Sequence, residues 1–145
     1  MSEADDCIFC SIVEGEIPSR TVYEDDTVLA FLDVNPLAPG HTLVIPKSHH
    51  ERLQDLPDKE ASWLYKVAHK LTEAVEDGVD ADATTLAVNN GEAAGQEVPH
   101  VHCHLVPRFD GDGGGPIHAA FGDAPDLSED ELDEIAADIS AYTAD

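Results

Sequence analysis

Three histidines occupy every second position of one short apolar segment, and this spacing constrains the fold more than any other feature of the chain. The segment covers residues 100–106 and reads His-Val-His-Cys-His-Leu-Val. Successive side chains of a β-strand point to opposite faces of the sheet. The spacing therefore predicts a strand in which His100, His102 and His104 share one face, while the apolar residues between them cover a core on the other.

A row of imidazoles is costly to bury, so three in sequence are untypical of an ordinary core. The side chain has two common uses that suit such a row, namely metal coordination and phosphate chemistry near neutral pH. A polar strand whose hydrogen bonds are all satisfied is the structural alternative. The rest of the sequence has to distinguish these possibilities.

The charge of the chain limits its partners. It has 145 residues, enough for one domain with its own core, and 31 acidic residues against 7 Lys and Arg give a formal net charge of −24. Such a surface repels nucleic-acid phosphates and anionic membranes, so neither is expected as a partner. Because the acids also fall within segments predicted to fold, the composition favours a halophilic protein of a salt-rich cytoplasm. An acidic protein of an ordinary cytoplasm is the alternative.

The sequence predicts a cytoplasmic protein with reduced thiols. No apolar run approaches the roughly 18 residues of a membrane span, and the N-terminus lacks the basic and apolar regions of a signal peptide. The three cysteines, at positions 7, 10 and 103, are an odd number with one close pair. A disulfide framework is therefore not expected, and free thiols or a metal site are favoured.

Hydrophobic periodicity and turn signals predict an α+β domain with about five mostly antiparallel strands, a long helix and a C-terminal helix. The helices are expected over residues 7–14, 58–77 and 128–144, and the strands over 21–24, 28–33, 41–45, 84–88 and 100–106. Gly78 is expected to end the long helix. The whole chain is assigned to one domain, with a core over about 7–108, a flexible glycine-rich connector over 109–127 and the last helix.

Three motifs in this order resemble the histidine-triad (HIT) family of nucleotide-binding proteins. They are the triad segment itself, the stretch FLDVNPLAPGHTLVIPKSH at 31–49, and the stretch NNGEAAGQEVP at 89–99 that leads into the triad. The resemblance runs over about residues 7–108. It implies the HIT-like fold and a homodimer. Apolar residues on the helical stretch 63–75 suit such an interface, and they equally suit the core of a monomer.

The resemblance also implies a reaction at the α-phosphate of a nucleotide. His102, the middle histidine of the triad, corresponds to the nucleophile, which forms a nucleotidyl-histidine that water then resolves. His104 and His41 would hold phosphate oxygens and stabilise the charge that develops on them. His100 completes the catalytic triad. The activity implied is that of a hydrolase or transferase acting on adenosine 5′-phosphoramidates.

The same resemblance assigns the nucleotide site. Asp33 corresponds to the carboxylate that accepts from the ribose hydroxyls of a purine nucleotide similar to AMP. Asn89 and Gln96 correspond to residues of the phosphate region. The base is expected in an apolar slot formed by Ile8, Phe9, Ile12, Phe31 and Val34.

Two branches of the family remain open. An Asn at position 89 is typical of the Hint branch, which cleaves nucleoside phosphoramidates, whereas the Fhit branch cleaves dinucleoside polyphosphates and typically has Gln there. The stretch Val-Pro-Arg at 106–108 is more similar to the Fhit branch. Animal Hint proteins carry a serine at the position of Glu97 that bonds the scissile phosphate region. A carboxylate repels phosphate, so that role is not transferred.

The pair Cys7 and Cys10 is a candidate for a structural zinc site, with two small core residues as the alternative. Microbial HIT proteins and the related galactose-1-phosphate uridylyltransferases use such a pair with two histidines. The matching positions here are His49 and His100, and His50 is the alternative to His49. A Cys₂His₂ set satisfies the tetrahedral preference of zinc and leaves no open position for catalysis.

Two other functions compete with the phosphoramidate hydrolase. A metallohydrolase could use triad histidines as ligands of a catalytic zinc, and it would lose activity in chelator. A nucleotide-sensing interaction protein with vestigial catalysis would bind AMP without turnover.

Overall fold

The computed structural model describes residues 6–143. Its helices are α1 (Ile8–Val13), α2 (Asp58–Val79) and α3 (Glu129–Thr143), and its strands are β1 (Thr21–Glu24), β2 (Val28–Leu32), β3 (Thr42–Pro46), β4 (Ala83–Val88) and β5 (Cys103–Arg108). The five strands of this part of the chain form one sheet in the order β1-β2-β3-β5-β4, and each neighbouring pair is antiparallel. The predicted α+β class and five-stranded antiparallel sheet are confirmed.

The long helix α2 covers one face of the sheet. Its buried residues recur at helical spacing, as the sequence predicts, and are Leu64, Val67, Ala68 and Leu71. Ala74, three residues after Leu71 and at the next position of this spacing, is exposed. The strand residues that pack in this core are Val28, Ala30, Val44, Cys103 and Leu105.

The triad segment shows the predicted alternation, but only part of it is regular strand. Val101, Cys103 and Leu105 are buried in the core with α2, so the histidines between them face the other side. Sheet pairing begins at Cys103, three residues later than expected. Before it, Val101 N–H donates to the His50 carbonyl at 2.8 Å and His100 N–H to the Val98 carbonyl at 2.8 Å. These loop bonds replace the expected strand pairing.

The opposite face of the sheet packs against α1. A second buried cluster lies here, formed by Cys7, Phe9, Leu29, Phe31, Leu43 and Ile45. Cross-strand pairing places Phe31 of β2 beside Leu43 of β3, and Leu43 beside His104 of β5. One row of side chains therefore leads from an apolar pair to the last histidine of the triad.

The helix α2 does not end at Gly78 as expected. It continues to Val79, and the residue that follows, Asp80, adopts the left-handed conformation with φ 56° and ψ 46°. Aspartate is one of the few non-glycine residues that tolerate this conformation, so it can close the helix in place of glycine.

A second compact unit begins at Gly113. It contains α3 and a short 3₁₀ helix at Ile117–Ala120, inside the stretch predicted as a connector. A capping box precedes α3, because Glu131 N–H donates to Ser128 Oγ at 3.1 Å and Ser128 N–H to Glu131 Oε1 at 3.2 Å. The predicted last residue of this helix, 144, lies outside the described residues.

Within residues 6–143, no helix has the length and apolar composition required to span a membrane.

Candidate active site

The sheet order brings the predicted catalytic and binding residues to one edge region. Asp33 follows β2, His41 precedes β3, His104 lies in β5 and Asn89 follows β4. The strands are adjacent in the order β2, β3, β5, β4, so these side chains follow one another across the sheet. The Asp33 N–H donates to the His41 carbonyl at 2.9 Å, which closes the connection between β2 and β3.

His102 presents one free ring nitrogen to this region. Its Nδ1 lies 2.8 Å from the His100 carbonyl oxygen, and a carbonyl only accepts, so the hydrogen of the neutral ring is on Nδ1. The lone pair is therefore on Nε2. The Phe9 ring packs edge-on against the imidazole with centroids 5.0 Å apart, which fixes the plane of the ring. The residue is 7% exposed, so the ring is nearly enclosed, and it lines an open cleft.

His41 and His104 form a hydrogen-bonded relay whose direction is set by the backbone. The Leu37 N–H donates to His41 Nδ1 at 3.0 Å, so the hydrogen of the neutral His41 ring is on Nε2. That hydrogen is donated to His104 Nδ1 at 2.9 Å. His104 must then carry its own hydrogen on Nε2, an atom that is buried and has no hydrogen-bond partner within residues 6–143. His104 thus offers an unused N–H donor beside His102.

Burial keeps these imidazoles neutral. Loss of solvation lowers the pKa of His102 and His41 below the ordinary value of 6.5, although the Asp33 carboxylate acts in the opposite direction on both. Loss of solvation, with the neighbouring histidines adding to it, lowers the pKa of His104 to about 4. At neutral pH the ring nitrogens therefore have the donor and acceptor roles that the hydrogen bonds require.

The cleft in front of these histidines has a volume of about 530 Å³. Most of the residues predicted for the nucleotide site line it: Ile8, Phe9, Ile12, Phe31, Asp33, Val34, Asn89, His102 and His104. Ile8 and Val34 are largely exposed, as expected of a slot that is open for a flat apolar ring. The lining of the cleft thus combines a set of apolar side chains with polar groups.

Three predicted site residues do not reach the cleft. His41 is 2% exposed, and its ring nitrogens bond to the Leu37 N–H and to His104, so it contacts His104 and does not line the cleft. His100 is fully buried, and its Nε2–H donates to the Pro46 carbonyl at 2.8 Å. Both rings face the protein interior, a direction that spacing along the chain does not specify.

Gln96 is the third residue outside the cleft lining, and its side chain bonds within the loop before the triad. Its Oε1 accepts from Gly91 N–H at 2.7 Å, and its Nε2 donates to the carbonyls of Glu51 at 2.8 Å and Val98 at 3.0 Å. Gly91 has φ 103°, and a Cβ there would lie 2.9 Å from the Arg52 guanidinium carbon. The positive φ favours glycine at the turn that Gln96 fastens, since the flexible end of the Arg52 side chain could move away from a Cβ.

Sequence reasoning missed several residues that line the cleft. They are Ile17, Pro18, Ser19, Arg20, Leu32, Asn35, Leu43, Gly95, Glu97 and Val98, of which Glu97 was considered only as a departure from the family. Leu43 could have been found, because it lies two residues after His41 and shares its strand face. The stretch 17–20 carries no periodic signal, since it belongs to the turn between α1 and β1.

The predicted metal ligands Cys7, Cys10, His49 and His100 come together behind the cleft. Their ligand atoms all lie within 4.8 Å of one another. The Cys7 Sγ to His100 Nδ1 distance is 3.3 Å, and Cys10 Sγ lies 3.4 Å from His49 Nδ1 and 3.6 Å from His100 Nδ1. Ligands about 2.0–2.3 Å from a tetrahedral zinc are about 3.5 Å apart, so the residues fit this ion. This cluster could hold a metal.

His50 does not belong to this cluster. Its Nε2 lies 4.0 Å from Glu60 Oε2, on the side of α2. The geometry therefore favours His49 between the two candidates that the sequence left open.

A second group of ligand-type atoms belongs to Asp33, His41 and His104. Here the Leu37 N–H fixes a hydrogen on His41 Nε2, and that hydrogen occupies the lone pair of His104 Nδ1. A metal ion would have to displace this hydrogen bond. We interpret the group as a relay of hydrogen bonds and not as a metal site.

Comparison with known proteins identifies the same family for most of the chain. A model of the HIT domain matches residues 14–111. A HIT-like protein of Methanocaldococcus jannaschii is 47% identical over 126 residues, which is 87% of this chain and 95% of the relative.

Two relatives carry names that state an activity. The adenosine 5′-monophosphoramidase of Saccharomyces cerevisiae is 43% identical over 104 residues, 72% of this chain and 63% of the relative. The adenylylsulfatase of Arabidopsis thaliana is 41% identical over 107 residues, 74% of this chain and 54% of the relative.

Solved structures agree with the fold. A Streptococcus mutans protein superposes with a TM-score of 0.86 at 39% identity, covering 97% of this chain and 87% of the other. A zinc-bound histidine triad family protein from Mycobacterium smegmatis superposes with a TM-score of 0.73 at 37% identity, covering 96% of this chain and 99% of the other.

Proposed function

The chain belongs to the HIT family, and on that premise we propose that it is a nucleotide hydrolase that acts at an α-phosphate through a covalent nucleotidyl-histidine. The observation that carries this proposal is the tautomer of His102. Its Nδ1–H is committed to the His100 carbonyl, so the Nε2 lone pair faces the cleft. A neutral, oriented imidazole is a competent nucleophile at neutral pH.

The proposed reaction has two displacements at phosphorus. His102 Nε2 forms a bond to the α-phosphorus as the bond to the leaving group breaks, and the electron pair goes to the leaving nitrogen, which takes a proton from water at the cleft mouth. Water then attacks phosphorus and gives up a proton to solvent. The P–Nε2 bond breaks and its electron pair returns to His102, which releases a nucleoside monophosphate.

The unused donor of His104 supports this reaction. His104 lines the cleft beside His102, and its buried Nε2–H has no partner within residues 6–143, so we propose that this N–H donates to a phosphate oxygen of the bound substrate. A donor fixed in place before the reaction stabilises the charge of the transition state without reorganisation. His41 keeps that donor in place through the relay.

The nucleotide is proposed to lie across the sheet. The base enters the apolar slot between α1 and the turn that follows β2, the ribose hydroxyls donate to Asp33, and the α-phosphate lies at His102. Asn89 lines the cleft beyond His102. The slot accepts a flat purine, and an AMP-like nucleotide is the proposed ligand.

For the leaving group we propose an amine, so that the substrate is an adenosine 5′-phosphoramidate. The name of the yeast relative supports this choice, as does the Asn at position 89. The plant relative is named for adenylylsulfate, and its name supports an adenosine nucleotide with a different leaving group.

The cluster of Cys7, Cys10, His49 and His100 is proposed to hold a structural zinc ion. The zinc-bound Mycobacterium smegmatis protein and the spacing of the four ligand atoms support this proposal. A bound zinc would supply a tetrahedral link between the start of α1, the stretch after β3 and the triad segment. No open coordination position would remain for substrate.

A homodimer is also proposed. Large apolar side chains are exposed on α2 and on the edge strand β4, with Trp63 at 37%, Tyr65 at 40% and Leu86 at 43% exposure. A monomer in a sedimentation experiment in molar salt would contradict it.

The proposed activity is tested with a fluorogenic adenosine phosphoramidate and diadenosine triphosphate side by side, each with and without EDTA. We expect phosphoramidate hydrolysis to persist in EDTA and to fall at least about 10³-fold in His102→Ala. His69→Ala is the matched control, because His69 is an exposed histidine on α2, and it should retain full activity.

Each competing function has its own outcome. Loss of activity in EDTA would indicate a catalytic metal, and a higher kcat/KM for diadenosine triphosphate would indicate the Fhit-like activity. AMP binding without turnover of either substrate would indicate a sensing protein. Any of the three would contradict the phosphoramidate proposal.

A further inference from the structure

One hydrogen of the histidine relay lies between two acceptors. The Leu37 N–H fixes the hydrogen of neutral His41 on Nε2, which donates it to His104 Nδ1 at 2.9 Å. The Oδ2 atom of Asp33 lies 3.7 Å from the same His41 nitrogen. This distance exceeds a hydrogen bond, but a carboxylate charge attracts an N–H across it. Asp33 and His104 therefore compete for one hydrogen.

The two carboxylate oxygens of Asp33 differ in their contacts. Oδ1 accepts from the Asn35 N–H at 2.9 Å, which holds the carboxylate in place. Oδ2 accepts no hydrogen bond from any residue in the range 6–143, where its contact is the one with His41 Nε2. Asp33 lines the cleft, so Oδ2 is the oxygen left to accept from the proposed ribose hydroxyls. The ribose and the relay therefore meet at one atom.

From this shared oxygen we propose that the ribose hydroxyls of the substrate activate the relay, so that the protein selects ribonucleotides in the chemical step as well as in binding. When the hydroxyls donate to Asp33 Oδ2, the carboxylate competes less, and the His41 hydrogen is committed to His104. The inference rests on the proposed hydrolysis through His102 and specifies its substrate class, which is nucleotides that carry both the 2′- and the 3′-hydroxyl. Asp33 is the specificity residue, and His41 is the positioning residue that acts through His104.

The effect reaches the phosphate through His104. Its ring lies beside that of His102, with centroids 5.0 Å apart. Its Nδ1 accepts from His41, and its buried Nε2–H is the donor proposed for a phosphate oxygen. Hydrogen bonds in a chain polarise one another, so a stronger bond at Nδ1 makes Nε2–H a stronger donor. The sugar of the substrate thereby strengthens the charge stabilisation at its own phosphate.

The loop 33–41 fixes the distance between the two competing groups. The Asp33 N–H donates to the His41 carbonyl at 2.9 Å, and the His41 N–H donates to the Ala38 carbonyl at 3.1 Å. The Leu37 N–H holds the other side of the His41 ring at 3.0 Å. Backbone groups therefore set the competition in the folded chain, before any ligand binds.

The inference predicts a change in kcat, which ribose binding alone does not. A contact that is equally strong in the ground state and the transition state changes KM and leaves kcat unaltered. A contact that strengthens a donor to the transition state changes kcat. One hydrogen bond changes an equilibrium constant roughly threefold to tenfold, so we expect kcat to change by a similar factor.

The test compares the butylamine 5′-phosphoramidates of adenosine and of 2′,3′-dideoxyadenosine, with kcat and KM measured separately. For the unmodified protein we expect the dideoxy substrate to have a higher KM and also a kcat roughly threefold to tenfold lower.

Asp33→Asn separates the two effects. The amide oxygen can still accept from the Asn35 N–H, whereas the amide nitrogen cannot accept the hydrogen of His41. This variant should bind adenosine nucleotides more weakly, and its kcat should be equal for the two substrates. It should also turn over the dideoxy substrate with a higher kcat than the unmodified protein does.

A second measurement follows the hydrogen itself. The proton NMR signal of His41 Nε2–H should move downfield when adenosine is added, because the hydrogen bond to His104 becomes stronger. The nucleoside 2′,3′-dideoxyadenosine should not cause this shift. Neither nucleoside carries a phosphate, so the signal reports on the relay without turnover. A shift of the same size with both nucleosides would contradict the inference.

Asp26→Asn is the matched control, because Asp26 is an exposed carboxylate in the turn between β1 and β2 and does not line the cleft. It should keep the kcat ratio of the unmodified protein. Equal kcat values for the two substrates in the unmodified protein would overturn the inference, as would a ratio that persists in Asp33→Asn.

Failure of the broader proposal looks different. If the adenosine substrate is hydrolysed through His102 with the same kcat as the dideoxy substrate, the activation by ribose is wrong and the proposed function stands. If the unmodified protein hydrolyses neither phosphoramidate, the proposed function is overturned, and the activation of its chemical step with it.

Discussion

His100 connects two sites through two different parts of one residue. Its carbonyl accepts from His102 Nδ1–H and so fixes the tautomer of the proposed nucleophile. Its ring donates from Nε2 to Pro46 and turns Nδ1 towards the thiols of Cys7 and Cys10. A zinc ion at these thiols would therefore hold the residue that orients the nucleophile.

The metal proposal is tested at the residue scale with Cys10→Ser. We expect about one zinc per chain in the unmodified protein and a clear loss in the variant, because serine is a poor zinc ligand. Losing the ion should reduce the free energy of unfolding by about 2 kcal/mol, which lowers Tm by about 4–8 °C for a chain of this size. Metal analysis and thermal melts check both expectations.

Cys103→Ala is the control for this experiment. Cys103 is a fully buried thiol outside the cluster, so its removal leaves a cavity beside α2 but should not change the zinc content. Equal zinc content in Cys10→Ser and the unmodified protein would contradict the proposed site.

At the scale of elements, two glycines near the end of α2 show how differently the same residue type can act. Gly40, in the connection before β3, has φ 89°, and a Cβ there would lie 2.8 Å from Val79 Cγ1 and 3.2 Å from Pro107 Cγ. Gly78, inside α2, would place a Cβ in open space. Gly40 permits close packing between elements, whereas Gly78 only lowers the stability of the helix that contains it.

The pair of substitutions Gly40→Ala and Gly78→Ala tests this difference. Gly40→Ala should destabilise the protein by about 1–3 kcal/mol, because it combines left-handed strain with a steric overlap. Gly78→Ala should stabilise it by about 0.5–1 kcal/mol, since alanine favours the helical conformation that this position adopts. Urea unfolding gives the change in the free energy of unfolding for each variant. If both variants are stabilised, or both are destabilised, the packing described is contradicted.

At the scale of the whole molecule, the net charge of −24 is the dominant property. Exposed like charges repel one another in the folded chain, and the repulsion weakens as the Debye length falls from about 10 Å at 0.1 M salt to about 3 Å at 1 M. Local pairing compensates few of the acids. An example is Lys47, whose Nζ lies 2.8 Å from Glu24 Oε2.

This charge predicts that stability depends on salt. We expect Tm to rise by at least about 10 °C between 0.1 M and 2 M KCl, most steeply below 1 M, where screening changes most. A titration with sucrose at matched osmolality separates charge screening from the general effect of an excluded solute. A Tm that stays constant across the KCl series would contradict the halophilic interpretation.

The sequence by itself determined the features that depend on local pattern. The period of two in the triad segment predicted which residues join the core with α2, and the helical stripe of α2 predicted most of its buried face. The same pattern could not fix where β5 begins, because the N–H groups of His100 and Val101 bond to the carbonyls of Val98 and His50 and not to a strand. The ends of helices and strands depend on hydrogen-bond partners such as these, and a partner that is distant in the sequence cannot be inferred from the residues around the end.

The residue types of the site were also evident from the sequence, since three motifs contain most of the cleft lining. Which atom of each histidine is free was decided by tertiary structure alone. The Leu37 N–H, the Pro46 carbonyl and the His100 carbonyl assign the ring hydrogens of His41, His100 and His102. A sequence specifies that an imidazole is present, but its tautomer and its direction depend on partners that only folding brings within hydrogen-bond distance.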